Sequence, residues 1–179
     1  KRSAILPLTL TPIHKKNNIT NKHTVLNNDI NDVLDIDFDI VYIDPPYNSR
    51  QYGGNYHVLN YIFKYDQNME IYGKTGLIKD YFKSNFCRKD QAYDELNNII
   101  KNIKAKYVLI SYNNEGILTI KNIQNILSQR GIVTTFQCFY KKYKSQKNQE
   151  DEFVTEYVHL VKIDDNEKFI HKNFKIIEL

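Results

Sequence analysis

The apolar run Ile40-Val41-Tyr42-Ile43 breaks off abruptly into Asp44-Pro45-Pro46-Tyr47. A run with no polar alternation is the pattern of a strand buried on both faces within a parallel sheet. The two prolines then stop it, because each fixes φ and lacks an N–H with which to continue a ladder. Parallel strands need long, usually helical crossovers, so this stretch demands an α/β architecture. In an open α/β sheet ligands bind outside the carboxyl ends of the strands, which is where Asp44 falls.

The remaining pattern agrees. Thr24-Val25-Leu26-Asn27 is a short β-like run. Ala92, Leu96, Ile99, Ile100 and Ile103 recur at spacings of three and four, predicting an amphipathic helix over 89–103. A strand is expected at 106–111, then a second helix carrying Ile120, Ile123, Ile126 and Leu127, with Gly131 in its C-cap position. Two alternating β-runs, 132–140 and 153–163, flank the basic loop 141–151 and predict an antiparallel terminal hairpin. Residues 1–23, with Pro7 and Pro12, read as an extended arm; 24–163 form the folded unit and 164–179 a tail.

At 179 residues, 41% hydrophobic and 26% charged, the chain can bury one core. There is no run of eighteen apolar residues and no signal-peptide pattern, so a soluble, cytoplasmic protein without a membrane partner is expected. Cys87 and Cys138 lie far apart without CxxC spacing, and no metal is expected. His14, His23, His57, His159 and His171 show neither triad nor metal spacing and read as structural or surface residues. A formal charge of +4 is compatible with a polyanionic partner without requiring one.

The Asp44 carboxylate and a carbonyl held rigid by Pro45 and Pro46 make two fixed acceptors, with the Tyr47 ring alongside. The group that needs two acceptors is an amine with two N–H bonds, and a planar heterocycle bearing NH2 fits both features. An ordinary strand stop, with Asp44 capping a turn and Tyr47 packing, is the alternative.

Around this tetrapeptide the sequence resembles the N6-adenine DNA methyltransferases, in particular their alpha-ordered, Dam/FokI-type group. Asp44-Pro45-Pro46-Tyr47 matches that family's fourth motif. Asn48-Ser49-Arg50-Gln51-Tyr52-Gly53, Asn55-Tyr56-His57, Lys74-Thr75-Gly76-Leu77, Ser111 to Gly116 and Glu156-Tyr157-Val158-His159-Leu160 resemble, in order, further stretches of the FokI-type branch. The resemblance implies a Rossmann-like S-adenosylmethionine-dependent methyltransferase fold, present as a C-terminal catalytic part over 24–163. It also implies transfer of a methyl group from S-adenosylmethionine to an adenine flipped out of double-stranded DNA. Asp44 and Pro45 would accept the two amine N–H bonds, Pro46 would stiffen the loop, and Tyr47 would stack on the extruded base. Val25 to Asp29 resembles the third motif, giving Asp29 and Ile30, with Asp44, a cofactor role; Asp29 reads equally as a helix N-cap.

For DNA, the resemblance and the placement of polar and aromatic residues single out Asn48, Ser49, Arg50, Gln51, Tyr52, Asn55 and Tyr56 after the motif. Asn113 and Asn114 at a neighbouring strand end, and Lys141, Lys142 and Lys144 in the basic loop, join them. Each has a plain surface or turn role as its alternative. The family's Phe-x-Gly-x-Gly cofactor motif is not found, and the chain begins at Lys1. The expectation is therefore a fragment or subunit of a prokaryotic restriction-modification methylase, completed by an N-terminal half with the cofactor motif and recognition domain, or by oligomerisation. A non-catalytic methyltransferase remnant serving as a DNA-binding or assembly module is the alternative.

Overall fold

The computed structural model describes residues 23–65, 70–74, 76–141, 153–164 and 175–178. Five strands form one mixed sheet: β1 (Phe38–Ile43), β4 (Ala105–Asn113), β5 (Val133–Lys141), β6 (Phe153–Lys162) and β7 (Lys175–Glu178). The spatial order is β1-β4-β6-β5-β7, with β1–β4 and β5–β7 parallel and both pairings of β6 antiparallel. A separate two-stranded ribbon joins β2 (Ile71–Tyr72) to β3 (Leu77–Ile78). Helices are α1 (Tyr52–Asn55), α2 (His57–Lys64), α3 (Ala92–Asn102) and α4 (Ile120–Leu127), with 3₁₀ turns at Ile30–Val33 and Asn85–Cys87.

The expected strand, helix, strand, helix, hairpin order is present. The apolar stripe of α3 places Leu96, Ile99 and Ile100 in the core; Asp94 and Glu95 in its first turn and Lys101 in its last complement the helix dipole. Its terminal carbonyls are met by a side chain from elsewhere: the Arg130 guanidinium donates to Ile100 O (2.6 Å) and Lys101 O (2.9 Å). Thr119 and Asn122 form a reciprocal capping box that starts α4. Both helices pack on one face of the sheet, against Ile43, Val108, Ile110, Val133 and Val161. His159 and Thr135 are fully buried on that face. Thr135 Oγ1 lies 2.9 Å from His159 Nδ1 and accepts from Gln124 Nε2 at 3.0 Å, while His159 Nε2 finds no partner among the described residues.

Several expectations need correction. β1 is buried on one face only: Ile40 and Tyr42 are 62% and 61% exposed. It is an edge strand, and no described helix lies over its second face. Thr24–Asn27 is not a strand, and Val25 stands in solvent, because no described strand lies beside it to complete a ladder. Gly131 is not the C-cap of α4, which is Ser128; the glycine is needed because a Cβ there would collide with the Lys162 carbonyl. The segment after Tyr47 is largely helical, not an open loop, and the tail contributes β7 to the sheet. The arm, except His23, lies outside the described residues. No described helix is long and apolar enough to cross a membrane.

Candidate active site at the carboxyl end of the sheet

Register places the candidate functional side chains at one end of the sheet. Ile43 pairs with Ile110, so Asp44, one step beyond β1, comes level with Ser111; Asn113, two residues on, pairs with Glu156 of β6. Alternation sets Asp44, Ser111, Asn113 and Glu156 on the face that α3 and α4 leave bare. Asp44 is exposed, Pro45 buried, Pro46 half-buried and Tyr47 37% exposed. The tetrapeptide is tied down through Tyr47, whose carbonyl accepts from Ile117 N–H (2.8 Å) and from the Tyr112 hydroxyl (3.3 Å).

The residues after the motif fold back instead of trailing away. Asn48 Oδ1 accepts from Arg50 N–H at 2.9 Å, turning the chain. The Gln51 amide is fully engaged with Ser84: Nε2 donates to its carbonyl (3.1 Å) and Oε1 accepts its N–H (2.8 Å). The Cys87 thiol donates to Arg50 O at 3.4 Å. Gly53 comes so close to Tyr81 and Phe82 that a Cβ would lie 2.8 Å from Phe82 O. Gln51 is thus a clamp between two segments, while Ser49, Arg50, Tyr52, Asn55 and Tyr56 are exposed. The rings of Tyr52 and Tyr56 lie 5.7 Å apart. Burial, then the nearby Tyr47, Tyr56 and Asp44, push the Tyr52 phenol up, which puts Tyr52 within the electrostatic reach of the motif.

Asn113 is buried, with Oδ1 accepting from Glu115 N–H at 3.1 Å. Asn114 pairs with Thr155 through two 3.0 Å bonds, one from its own N–H and one to its side-chain oxygen. The Glu156 carboxyl is pushed up by burial and, further, by the charges of Asp44 and Glu115; a hydrogen bond from Asn113 opposes the shift. Glu156 and Tyr112 are site neighbours to which sequence reasoning gave no role; the runs Glu156 to Leu160 and Ser111 to Gly116 were the available signals.

A cleft of about 310 Å³ is lined by Asn27, Asn28, Asp29, Ile30 and Phe82. Asp29 Oδ1 accepts from the backbone and side-chain amides of Asn31 (3.0 and 2.8 Å), so the capping role is realised. Asn31 in turn donates to Glu95 of α3 at 2.9 Å, anchoring the turn to the core helix. Lys141 ends β5 at the same end of the sheet as Asp44, since β5 runs in the direction of β1; Lys142 and Lys144 lie outside the described residues.

Comparison with known proteins gives this arrangement a context. The chain is 36% identical over 166 residues to the type II methyltransferase M.NlaIII of Neisseria lactamica, covering 90% of this chain and 49% of that protein. It is 40% identical over 144 residues to M.FokI of Planomicrobium okeanokoites, covering 77% of this chain and 22% of the relative. With M.CviAII of Paramecium bursaria Chlorella virus 1 it shares 36% over 164 residues, 92% and 49% respectively. The chain thus spans half or less of the length of these curated relatives. No solved structure matches it. Residues 8–126 match the model of the D12 class N6 adenine-specific DNA methyltransferases, and the chain belongs to that family.

Proposed function

We propose that this chain carries the catalytic part of a site-specific DNA methyltransferase acting on N6 of an adenine flipped out of double-stranded DNA. The observation that carries this reading is the Asp44-Pro45-Pro46-Tyr47 loop itself: an accessible carboxylate on a proline-stiffened turn, beside a ring whose carbonyl is held by two hydrogen bonds. An adenine amine is a weak nucleophile because its lone pair is delocalised into the ring. Asp44 Oδ and the Pro45 carbonyl, each accepting one N–H, favour the pyramidal amine whose lone pair can attack. Tyr47 stacks on the base and offsets part of the few kcal/mol lost on extrusion. Once the methyl is on nitrogen the amine is cationic and gives up a proton readily, so Asp44 need not be a strong base to receive it. Most of the acceleration then comes from holding two reactants in line within a preorganised field.

S-adenosylmethionine, the cofactor of this family, supplies the methyl group when bound. The cleft beside Phe82 fits its nucleoside in chemistry: its lining combines the amide and carboxylate groups of Asn27 to Asp29 with the Phe82 ring and the apolar Ile30. The exposed Ser49, Arg50, Tyr52, Asn55 and Tyr56, the strand-end Asn113 and Asn114, and Lys141 at the end of β5 make up the DNA-facing rim on this reading; Lys142 and Lys144 are assigned to DNA from the sequence alone. Asn48 and Gln51 shape that rim through the turn and the clamp they make. Segments that the longer relatives carry beyond the matched stretch would supply further cofactor contacts and base readout, in the same chain or a partner, within the prokaryotic cytoplasm. The test is transfer of labelled methyl to unmethylated genomic DNA, by the chain alone and with an extract of its source cells. Transfer in either condition, lost in Asp44→Ala, supports the reading. Transfer that Asp44→Ala leaves unchanged, or DNA binding with no transfer in any condition, contradicts it.

A further inference from the structure

The Tyr112 phenol stands at a junction that the chemistry above does not use. It is 3% exposed near the end of β4, and its hydroxyl has two partners: it donates to Tyr47 O (3.3 Å) and accepts from Leu118 N–H (3.1 Å). Ile117 N–H gives the same Tyr47 carbonyl its second bond at 2.8 Å. The two tyrosine rings meet edge to face, with centroids 6.4 Å apart and planes at 80°. The turn that delivers these amides passes directly over the Tyr112 ring, and only glycine fits there: a Cβ at Gly116 would collide with the ring. Burial pushes the phenol up, and the Leu118 and Ile117 backbone amides beside it pull it down by less, so it remains a protonated donor at neutral pH.

We infer that Tyr112 is a positioning residue for methyl transfer: with the Gly116–Leu118 turn it pins the carbonyl of Tyr47 and sets the angle of the ring against which the extruded adenine stacks. The inference rests on Tyr47 being that stacking residue. A flexible Tyr47 would still bind a base face, but the amine would spend less time aligned for attack, so the loss should appear in kcat and not in cofactor affinity. Tyr112→Phe is the informative variant, since it keeps the buried ring and removes only the hydroxyl.

In the methyl-transfer assay, Tyr112→Phe should lower kcat roughly tenfold, with KM for S-adenosylmethionine within about twofold of wild type. Combined with Tyr47→Leu, which removes the ring being positioned, it should cost little more. In the chain by itself, amide hydrogen exchange should quicken roughly tenfold at Ile117 and Leu118 in Tyr112→Phe, while Val108 and Ile110 keep their protection. Three results overturn the inference: unchanged kcat, the same loss with and without Tyr47→Leu, or unchanged exchange at Ile117 and Leu118. If Asp44→Ala and Tyr47→Leu both abolish transfer and Tyr112→Phe does not lower it, the positioning role alone fails. If neither of those two variants affects transfer, the proposed function fails and takes this role with it. Where wild type shows no transfer, the exchange measurement decides.

Discussion

The two faces of the sheet are made from the same strands, yet they differ in nearly every respect that matters here. On one face Val108, Ile110, Val133 and Val161 meet Leu96, Ile99 and Ile100 of α3 and Ile123, Ile126 and Leu127 of α4, all close to zero exposure. On the other, Ile40, Tyr42 and Tyr107 are exposed, and Leu109, Val158 and Leu160 are half-buried. Strand alternation supplies apolar groups to both sides; the helices cover only one. The covered face holds the fold together, and Asp44, Asn113 and Glu156 stand at the end of the bare one. The core and the candidate site are thus separated by the pleat of the sheet, a single residue step apart.

This contrast can be broken from either side. Leu96→Ala on the sealed face should cost about 2–5 kcal/mol in denaturant unfolding, through lost burial and a cavity in a close-packed core. A loss below about 1 kcal/mol would show that α3 is not firmly docked. The His159 prediction is next in size. Burial lowers its pKa to about 4, so the folded chain keeps His159 neutral while the unfolded chain protonates near 6.5. The unfolded state therefore binds the extra proton between these values. Stability conferred by the neutral imidazole is whole above about pH 6.5 and falls as pH drops toward 4, by about 3 kcal/mol in total. Unfolding curves across that range should lose most of this dependence in His159→Gln; an identical pH profile in the variant would contradict the assignment. The smallest effect belongs to the bare face: Tyr42→Ser should change stability by less than about 0.5 kcal/mol in the chain by itself. A larger loss would mean that this face is covered in solution.

Much of this was legible from local rules. An apolar run stopped by two prolines identified β1 and the position of Asp44, because proline chemistry acts on the chain wherever it lies. The stripe of α3 and the alternation of β5 and β6 were readable for the same reason: periodicity depends on the element alone. What local rules missed was tertiary. Ile40 and Tyr42 look like core residues in sequence, and they are exposed because no described helix covers that face of the sheet, where Tyr107 of the interior strand β4 is exposed too. Gly131 fits a C-cap by position, but its cause is the carbonyl of Lys162 thirty-one residues away. Gln51, read as a DNA contact, spends its amide on Ser84, and Asn114 spends its side-chain oxygen on Thr155; no spacing rule announces such partners. Residues 175–178 lack the length to predict a strand, and β7 exists because β5 offers it an open edge.

On the proposed function, Asp44 and Pro45 present an adenine amine for methylation. The most direct measurement digests DNA to nucleosides after incubation with labelled S-adenosylmethionine and the chain, supplemented with source-cell extract, and identifies the labelled nucleoside for wild type and Asp44→Ala. The geometry predicts label in N6-methyldeoxyadenosine alone, absent with Asp44→Ala. Label in another nucleoside, or in adenine irrespective of Asp44, would contradict it.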